Sequence, residues 1–490
     1  LAFAFGQKAS HPKDGLFLYG PPHSNRNPAR MDVGVVGTPR GIALFEAWVA
    51  SIRGTIAAPE SGKVENQAMW PGFQSVFNID WPELPIAKCV IDGKELSKRI
   101  RSSDRSEAIY TAVSVYEDAL RNHRRNEETR PLLWFVVVPE EVYKYGRPNS
   151  RVPKAEQEQS KAVGRKTATK MMRDGWLFQE ELSGVQMYRY EENFHNQLKA
   201  RLLDTGEIIQ VVRETTLAGG VVEEVGRRSL QDPASVAWNL CSTAFYKAGG
   251  TPWRVADVRE GVCYVGLVFK RVDTPDGVDN ACCGAQMFLS SGEGVVFKGA
   301  VGPWLSETDG TYHLTRAKGA ELMSMVVGAY TDMHGKPPSE LFIHGQTFLG
   351  DEEWEGFSSV VPATTKLTGI RIRRQSEIKL FRYGKNTVLR GTAIVTSPKS
   401  AYLWTVGFIP RLNTYPGREV PNPLTVEIVR GEGEIEAVLV DLMSLTKLNF
   451  NSAGFSDGSP VTLRFADLVG EILTAAPLKE VPPLPFKAYI

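Results

Sequence analysis

Apolar residues follow one rhythm up to about residue 235 and another after it. In the first part, short apolar runs precede stretches with helical spacing. Residues 31–37 predict a strand that ends at Gly37-Thr38-Pro39, and residues 40–52 then repeat at helical period. Residues 103–126 predict a second helix carrying Ile109, Val113, Val115, Tyr116 and Leu120, and residues 131–138 a buried strand stopped by Pro139. Strands alternating with helices predict a Rossmann-like parallel sheet. Residues 1–30 are rich in Pro, Gly and Asn and predict loops around one short strand at 16–19. The polar, basic stretch 156–173 predicts a loop or a solvated helix.

From residue 236 a helix (236–248) stops at Gly249-Gly250, and three strand-like runs follow at 261–270, 281–289 and 294–299 with short turns between them. Such spacing predicts an antiparallel meander. A helix at 317–334, a strand at 340–344, a helix near 352–360 and a strand at 369–373 come next. Three antiparallel strands followed by α-β-α-β is the order of an RNase H-like sheet. Further strands are expected near 392–396 and 405–409, a helix near 460–473, and then a proline-rich tail. The fold class is therefore α/β, with a Rossmann-like unit in residues 1–235 and an RNase H-like unit in residues 236–490.

The chain has 490 residues, room for two or three sizeable cores, and an ordinary 23% of charged residues. A net charge of +1 neither requires nor excludes a nucleic-acid partner, because a local basic groove is what binds phosphate. Five cysteines without a CxxC pair suggest reduced thiols and a cytoplasmic protein. No apolar run reaches the ~20 residues that span a bilayer. The apolar start at residues 1–6 lacks the basic region of a signal peptide and an initiator methionine, so residues are expected to precede it.

Candidate chemistry begins with His195 and Lys199, which share a face at i, i+4 spacing if 194–201 is a helix. Gln210 sits in the strand-like Ile208-Ile209-Gln210-Val211-Val212, and Lys247 closes a helix before Gly249-Gly250. Two lysines, an amide and an aromatic ring could hold a terminal phosphate and stack a base. By spacing alone, a solvated surface is the commoner explanation. Trp253, Trp304, Trp354 and Trp404 are expected in the core, and Cys282-Cys283 as a buried strand pair.

Longer strings add weight. Phe194 to Arg201, Arg213-Glu214-Thr215-Thr216-Leu217 and Phe245-Tyr246-Lys247-Ala248-Gly249-Gly250-Thr251-Pro252-Trp253 resemble the MID–PIWI junction of short prokaryotic Argonautes. Leu445-Thr446-Lys447-Leu448-Asn449-Phe450-Asn451 and the stretch from Asp457 to Asp467 are similar to the PIWI domain of the same group. Pro12-Lys13-Asp14-Gly15-Leu16, Arg147-Pro148-Asn149-Ser150 and Ala281-Cys282-Cys283 fit it too, so the resemblance runs through the whole chain. It implies a pocket for the 5′-phosphate of a guide RNA made by His195, Lys199, Gln210 and Lys247, with His195 stacking on the first base. It also implies Mg²⁺ at that phosphate, held by Gln210 and by the carboxylate of Ile490 where that residue ends the chain.

The resemblance also places two nuclease aspartates at the ends of apolar strands, in Gly266-Leu267-Val268-Phe269 and Ile343-His344-Gly345-Gln346. Aligned within one residue, those positions are Val268 and Gly345, neither of them an acid. Asp467 could keep a fourth tetrad position, with Glu293 and Glu307 as candidates for the glutamate, but one carboxylate cannot hold the two ions that such cleavage uses. A His344, His313 and Asp467 metal centre has no spacing to support it.

The implied protein binds a guide, does not cut, and senses complementary single-stranded DNA of an invading phage or plasmid. It then activates an associated effector fused to an APAZ segment, an NAD-depleting TIR or SIR2 enzyme before a nuclease, in a heterodimer that oligomerises on target binding during abortive infection. The rival readings are an active guide-directed endonuclease and an RNase H-like structural protein.

Overall fold

The computed structural model describes residues 1–59, 68–174, 184–219, 231–256, 259–273, 279–288, 294–301, 304–305, 312–374, 377–415, 417–477 and 484–490. Pro12–Tyr19 is a helix (α1), not the strand expected at 16–19. His11 caps it, its Nδ1 accepting from the Lys13 amide at 3.1 Å, and Pro12 supplies a pre-set φ in the first turn. The helix ends where Gly20 turns to φ +75°.

The first sheet holds β1 (Val33–Gly37), β2 (Ala87–Val90), β3 (Leu133–Val138) and β4 (Ile209–Arg213), in the order β2-β1-β3-β4 and parallel throughout. Between β1 and β2 runs α2 (Pro39–Arg53), which starts where Thr38 Oγ1 accepts from the Gly41 amide at 3.0 Å. The long α3 (Arg105–Asn126) precedes β3, and α4 (Phe194–Leu202) precedes β4. This is the expected Rossmann-like layer. The basic stretch is helical over Arg165–Asp174.

A connecting helix, α5 (Pro233–Lys247), leads to the second sheet. Its start means that a boundary at 235 would cut into its first turn. Next come β5 (Val262–Asp273), β6 (Asp279–Phe288) and β7 (Gly294–Val301), the antiparallel meander. After them, α6 (Arg316–His334), β8 (Glu340–Gly345), α7 (Asp351–Val360) and β9 (Lys366–Arg374) put β8 parallel to both β5 and β9. This is the RNase H-like order.

The C-terminal third departs from the expected pattern. β10 (Ala393–Ser397) is present, but the run at 405–409 makes only isolated bridges, Leu389 with Phe408 and Ile409 with Thr414. Pro410 follows and starts a 3₁₀ turn, so the run cannot extend a ladder. The strands that extend the sheet are β11 (Ser400–Leu403) and β12 (Leu424–Gly431), followed by α8 (Ile435–Leu445), α9 (Val461–Thr474) and a short β13 (Leu484–Pro485) on β7. The sheet reads β10-β11-β12-β9-β8-β5-β6-β7-β13.

One hydrophobic core joins the two sheets. It runs from Phe45 and Phe135 through Trp238 and Phe245 of α5 to Tyr264, Phe342, α8, α9 and the last residues, Phe486, Tyr489 and Ile490. Trp253 and Trp404 are fully buried, with their indole N–H groups donating to Lys447 O and Pro421 O, and Trp354 is half-buried. The side chains of Trp304, Cys282 and Cys283 lie outside the described residues.

Candidate phosphate site at the junction of the two sheets

The residues around Lys199 are held by local packing. Asn193 caps α4, and Phe194, Leu198 and Leu202 drive one face of the helix into the core of the first sheet. The other face turns Asn196 and Lys199 toward the second unit. Asn196 Nδ2 reaches Glu191 at 3.3 Å and Glu471 of α9 at 3.4 Å. Lys247 is placed by the end of α5, where Gly249 takes φ +108° and Gly250 lies against the Phe245 ring, which a Cβ there would strike at 2.4 Å.

Lys199 is 3% exposed and Lys247 1%. Both ammonium groups meet carbonyl oxygens: Lys199 Nζ donates to Tyr489 O at 3.1 Å, and Lys247 Nζ to Ile209 O at 2.9 Å. Neither has a carboxylate partner among the described residues. Burial lowers the Lys199 pKa to about 7. Burial, and then the nearby charge of Lys199, hold Lys247 well below the ordinary lysine range. Two buried lysines, the charge of Lys199 disfavouring that of Lys247, with neutral acceptors only among the described residues, form a site that gains from an anion.

His195 joins them from the same helix. Its Nδ1 lies 3.1 Å from Asn196 Oδ1, so that nitrogen carries the proton and Nε2 is left as an acceptor. Desolvation, then the charge of Lys199 and, more weakly, that of Lys247, lower its pKa to about 3. The residue nevertheless remains over a third open to solvent. A neutral, accessible ring beside two ammonium groups is suited to stacking.

Gln210 directly follows Ile209, the Lys247 acceptor, and its Nε2 donates to Val211 O at 3.0 Å. Ile490 is buried beside Tyr489, the Lys199 acceptor. The Gln210 amide oxygen and a terminal carboxylate are hard donors of the kind Mg²⁺ takes, but two oxygens need phosphate oxygens to complete its shell. Asn196 and the two carbonyl acceptors escaped sequence reasoning. Asn196 directly follows His195 and its spacing marks no partner, and a carbonyl acceptor leaves no mark on the sequence.

The strand ends of the second sheet are packed differently. β5 and β8 pair Gly266 with His344, and β8 and β9 pair Gly345 with Arg371. His344 is 1% exposed, its Nδ1 2.9 Å from Thr462 Oγ1 of α9, and burial lowers its pKa to about 3. A Cβ on Gly266 would lie 2.2 Å from Thr462 O. The first turn of α9 thus fills the space over Gly266 and His344. Gly345 has the strand phase of Leu341 and Ile343, on the opposite face from His344. Gly345 is therefore one residue out of phase with the face of β8 that α9 covers, and residues 344, 345 and 346 include no acid.

The Val268 side chain, Glu293 and Glu307 lie outside the described residues. Asp467 is exposed on α9. His313 Nδ1 lies 3.1 Å from Glu353 Oε1. No group of three or more His, Cys, Asp or Glu is gathered for a metal among the described residues. Nor is any described helix long and apolar enough to cross a membrane.

A parallel Rossmann-like sheet and an RNase H-like mixed sheet meet around one core, and this fold is similar to the MID–PIWI region of solved Argonautes. Particular solved Argonautes are similar to the chain at the level of fold. Clostridium butyricum Argonaute, bound to a guide DNA with a 5′ deoxycytidine and a 19-mer target DNA, superposes with a TM-score of 0.60 at 15% identity, over 100% of this chain and 53% of its own. Aquifex aeolicus Argonaute superposes at 0.53 and 15% identity, over 99% and 53%, and again at 0.53 with externally bound siRNA, over 100% and 55%. The chain spans about half the length of these proteins. No protein-family model and no curated protein sequence matches it.

Proposed function

We propose that this chain holds the 5′-phosphate of a guide RNA between its two sheets and pairs that guide with single-stranded DNA without cutting it. The observation that carries this reading is the Lys199–Lys247 pair, two buried ammonium groups beside an accessible His195. A 5′-phosphate brings roughly −1.5 to −2 charges at neutral pH, the complement that such a pair lacks. The solved relative with guide and target DNA in place supports a guide role for the shared fold. Gln210 and, where Ile490 ends the chain, its carboxylate would take Mg²⁺ together with the phosphate, and the ion would neutralise the charge that the lysines leave.

The reading without cleavage rests on the absence of acids at 344–346 and on the seating of α9 over Gly266. Recognition without reaction needs a partner to act. We assign that role to an APAZ-containing effector, an NAD-consuming TIR or SIR2 enzyme before a nuclease, activated when invading single-stranded DNA pairs with the guide.

Binding of 5′-phosphorylated and 5′-hydroxyl RNA to wild type and to Lys199→Ala/Lys247→Ala tests the site. We expect the double variant to lose most of the preference for the phosphate, at least tenfold, with 5′-hydroxyl affinity nearly unchanged. Equal losses for both RNAs would remove the pocket assignment.

A further inference from the structure

We propose that the surface formed by residues 371–374 and 377–387, with the adjoining residues 411–415 and 417–420, is a second nucleic-acid site, a platform for an unpaired single strand. The segment 371–387 carries Arg371, Arg373, Arg374, Lys379, Arg382 and Lys385 against one acid, Glu377, in a chain whose total charge is +1. Arg373, Arg374, Lys379, Arg382 and Lys385 are exposed and take part in no ion pair among the described residues. Arg374 and Lys379 make hydrogen bonds to neutral oxygens, Ser459 Oγ at 3.3 Å and Val420 O at 2.9 Å. The second bond ties the two loops side by side. The groove between them is lined in part by Lys385, Tyr415, Arg418 and the acid Glu419, and Arg418 is also exposed without an ion pair among the described residues.

Between these cations two aromatic rings stand in solvent. Phe381 is 75% exposed and Tyr383 104%. Neither makes a ring contact with another aromatic among the described residues. A phenyl ring held in water gains nothing for the fold, whereas bare rings interleaved with unpaired Arg and Lys are what a single strand uses: bases stack and phosphates meet cations.

The position agrees. β9 runs parallel to β5 and β8, and the segment leaves its carboxyl end, where Gly345 pairs with Arg371 and that guanidinium lies 3.7 Å from the centre of the exposed Phe348 ring. Ligands of open α/β sheets collect outside the carboxyl ends of the strands. The site shares no residue with the lysine pair. It stands on the fold and these side chains alone, independently of the 5′-phosphate reading.

The test uses a fluorescent 5′-hydroxyl single-stranded oligonucleotide, which gives the lysine pair no terminal phosphate, titrated over a range of salt. Two variants are compared with wild type: Phe381→Ala/Tyr383→Ala and Arg382→Ala/Lys385→Ala. All four residues are exposed, so unchanged melting temperatures are expected. The aromatic variant should bind tenfold or more weakly, with the slope of log affinity against log salt unchanged. The charge variant should lower that slope by about 1.4, since each phosphate contact on a single strand contributes ~0.7. Both should keep the wild-type ratio of 5′-phosphate to 5′-hydroxyl affinity. Wild-type binding that neither variant changes, or no binding of the oligonucleotide by wild type, would overturn the proposal. So would loss of a co-purifying protein in the aromatic variant with oligonucleotide binding intact, which would make this a protein surface. Loss of the phosphate ratio in Lys199→Ala/Lys247→Ala alone leaves the platform standing.

Discussion

Lys199 carries the main consequence at the scale of single residues. Folding lowers its pKa from the ordinary lysine range to about 7, so the unfolded chain holds the proton more tightly. The contribution of this group to stability therefore rises as pH increases from about 7 toward 10.5 and is lowest, and flat, below 7. Lys199→Met should remove that rise and stabilise the free protein near pH 7 by on the order of 2 kcal/mol. Denaturant melts from pH 6 to 9.5 check this, and an identical pH slope in wild type and variant would show the argument wrong. Sulfate, whose charge is constant over that range, should raise the wild-type melting temperature more at pH 6.5 than at pH 9 and do little for the variant. The pocket is thus built at a cost to the free protein, as sites that await a charged ligand often are.

Among the elements, the seating of α9 on β5 and β8 decides most. Gly266 has no room for a Cβ because Thr462 O occupies it, whereas a Cβ on Gly345 would meet nothing closer than Thr347 O at 3.7 Å. Gly266→Ala should therefore cost about 1–3 kcal/mol, as overpacking against backbone does, and Gly345→Ala less than about 1. Urea midpoints for the two variants check the contrast, and similar midpoints would mean that α9 yields. The periodic elements could be read from the sequence because each buries one face: α3, β3, α5, β5 and α6 lie within a few residues of their expected bounds. α1 was misread because Leu16, Phe17, Leu18 and Tyr19 look like a strand once the His11 cap and Pro12 are passed over. β12 and α8 carry the same signal, since Leu424, Val426 and Ile428 alternate with polar or half-buried positions and Ile435, Val438, Leu439 and Leu442 share a helical face, yet the expected pattern had no place for them.

Over the whole molecule, the last residues lock the two units together. Phe486, Tyr489 and Ile490 are buried in the shared core, and the Tyr489 carbonyl receives Lys199. Phe486→Ala should cost about 3–5 kcal/mol yet leave the preference for a 5′-phosphate intact. Removal of residues 486–490 should lower stability and abolish that preference as well. Melting temperatures and the two RNA affinities separate these outcomes, and a truncated protein that keeps the preference would show that the tail does not build the pocket. By itself, the sequence determined the two-part α/β plan and the identity of the charged side chains, because hydrophobic period and residue type are local properties. That Lys199 and Lys247 become a buried pair without a carboxylate, that α9 closes over Gly266 and His344, and that Phe381 and Tyr383 stay bare was decided only by the tertiary structure. Burial and pairing depend on which distant segments arrive, and no spacing along one chain records that.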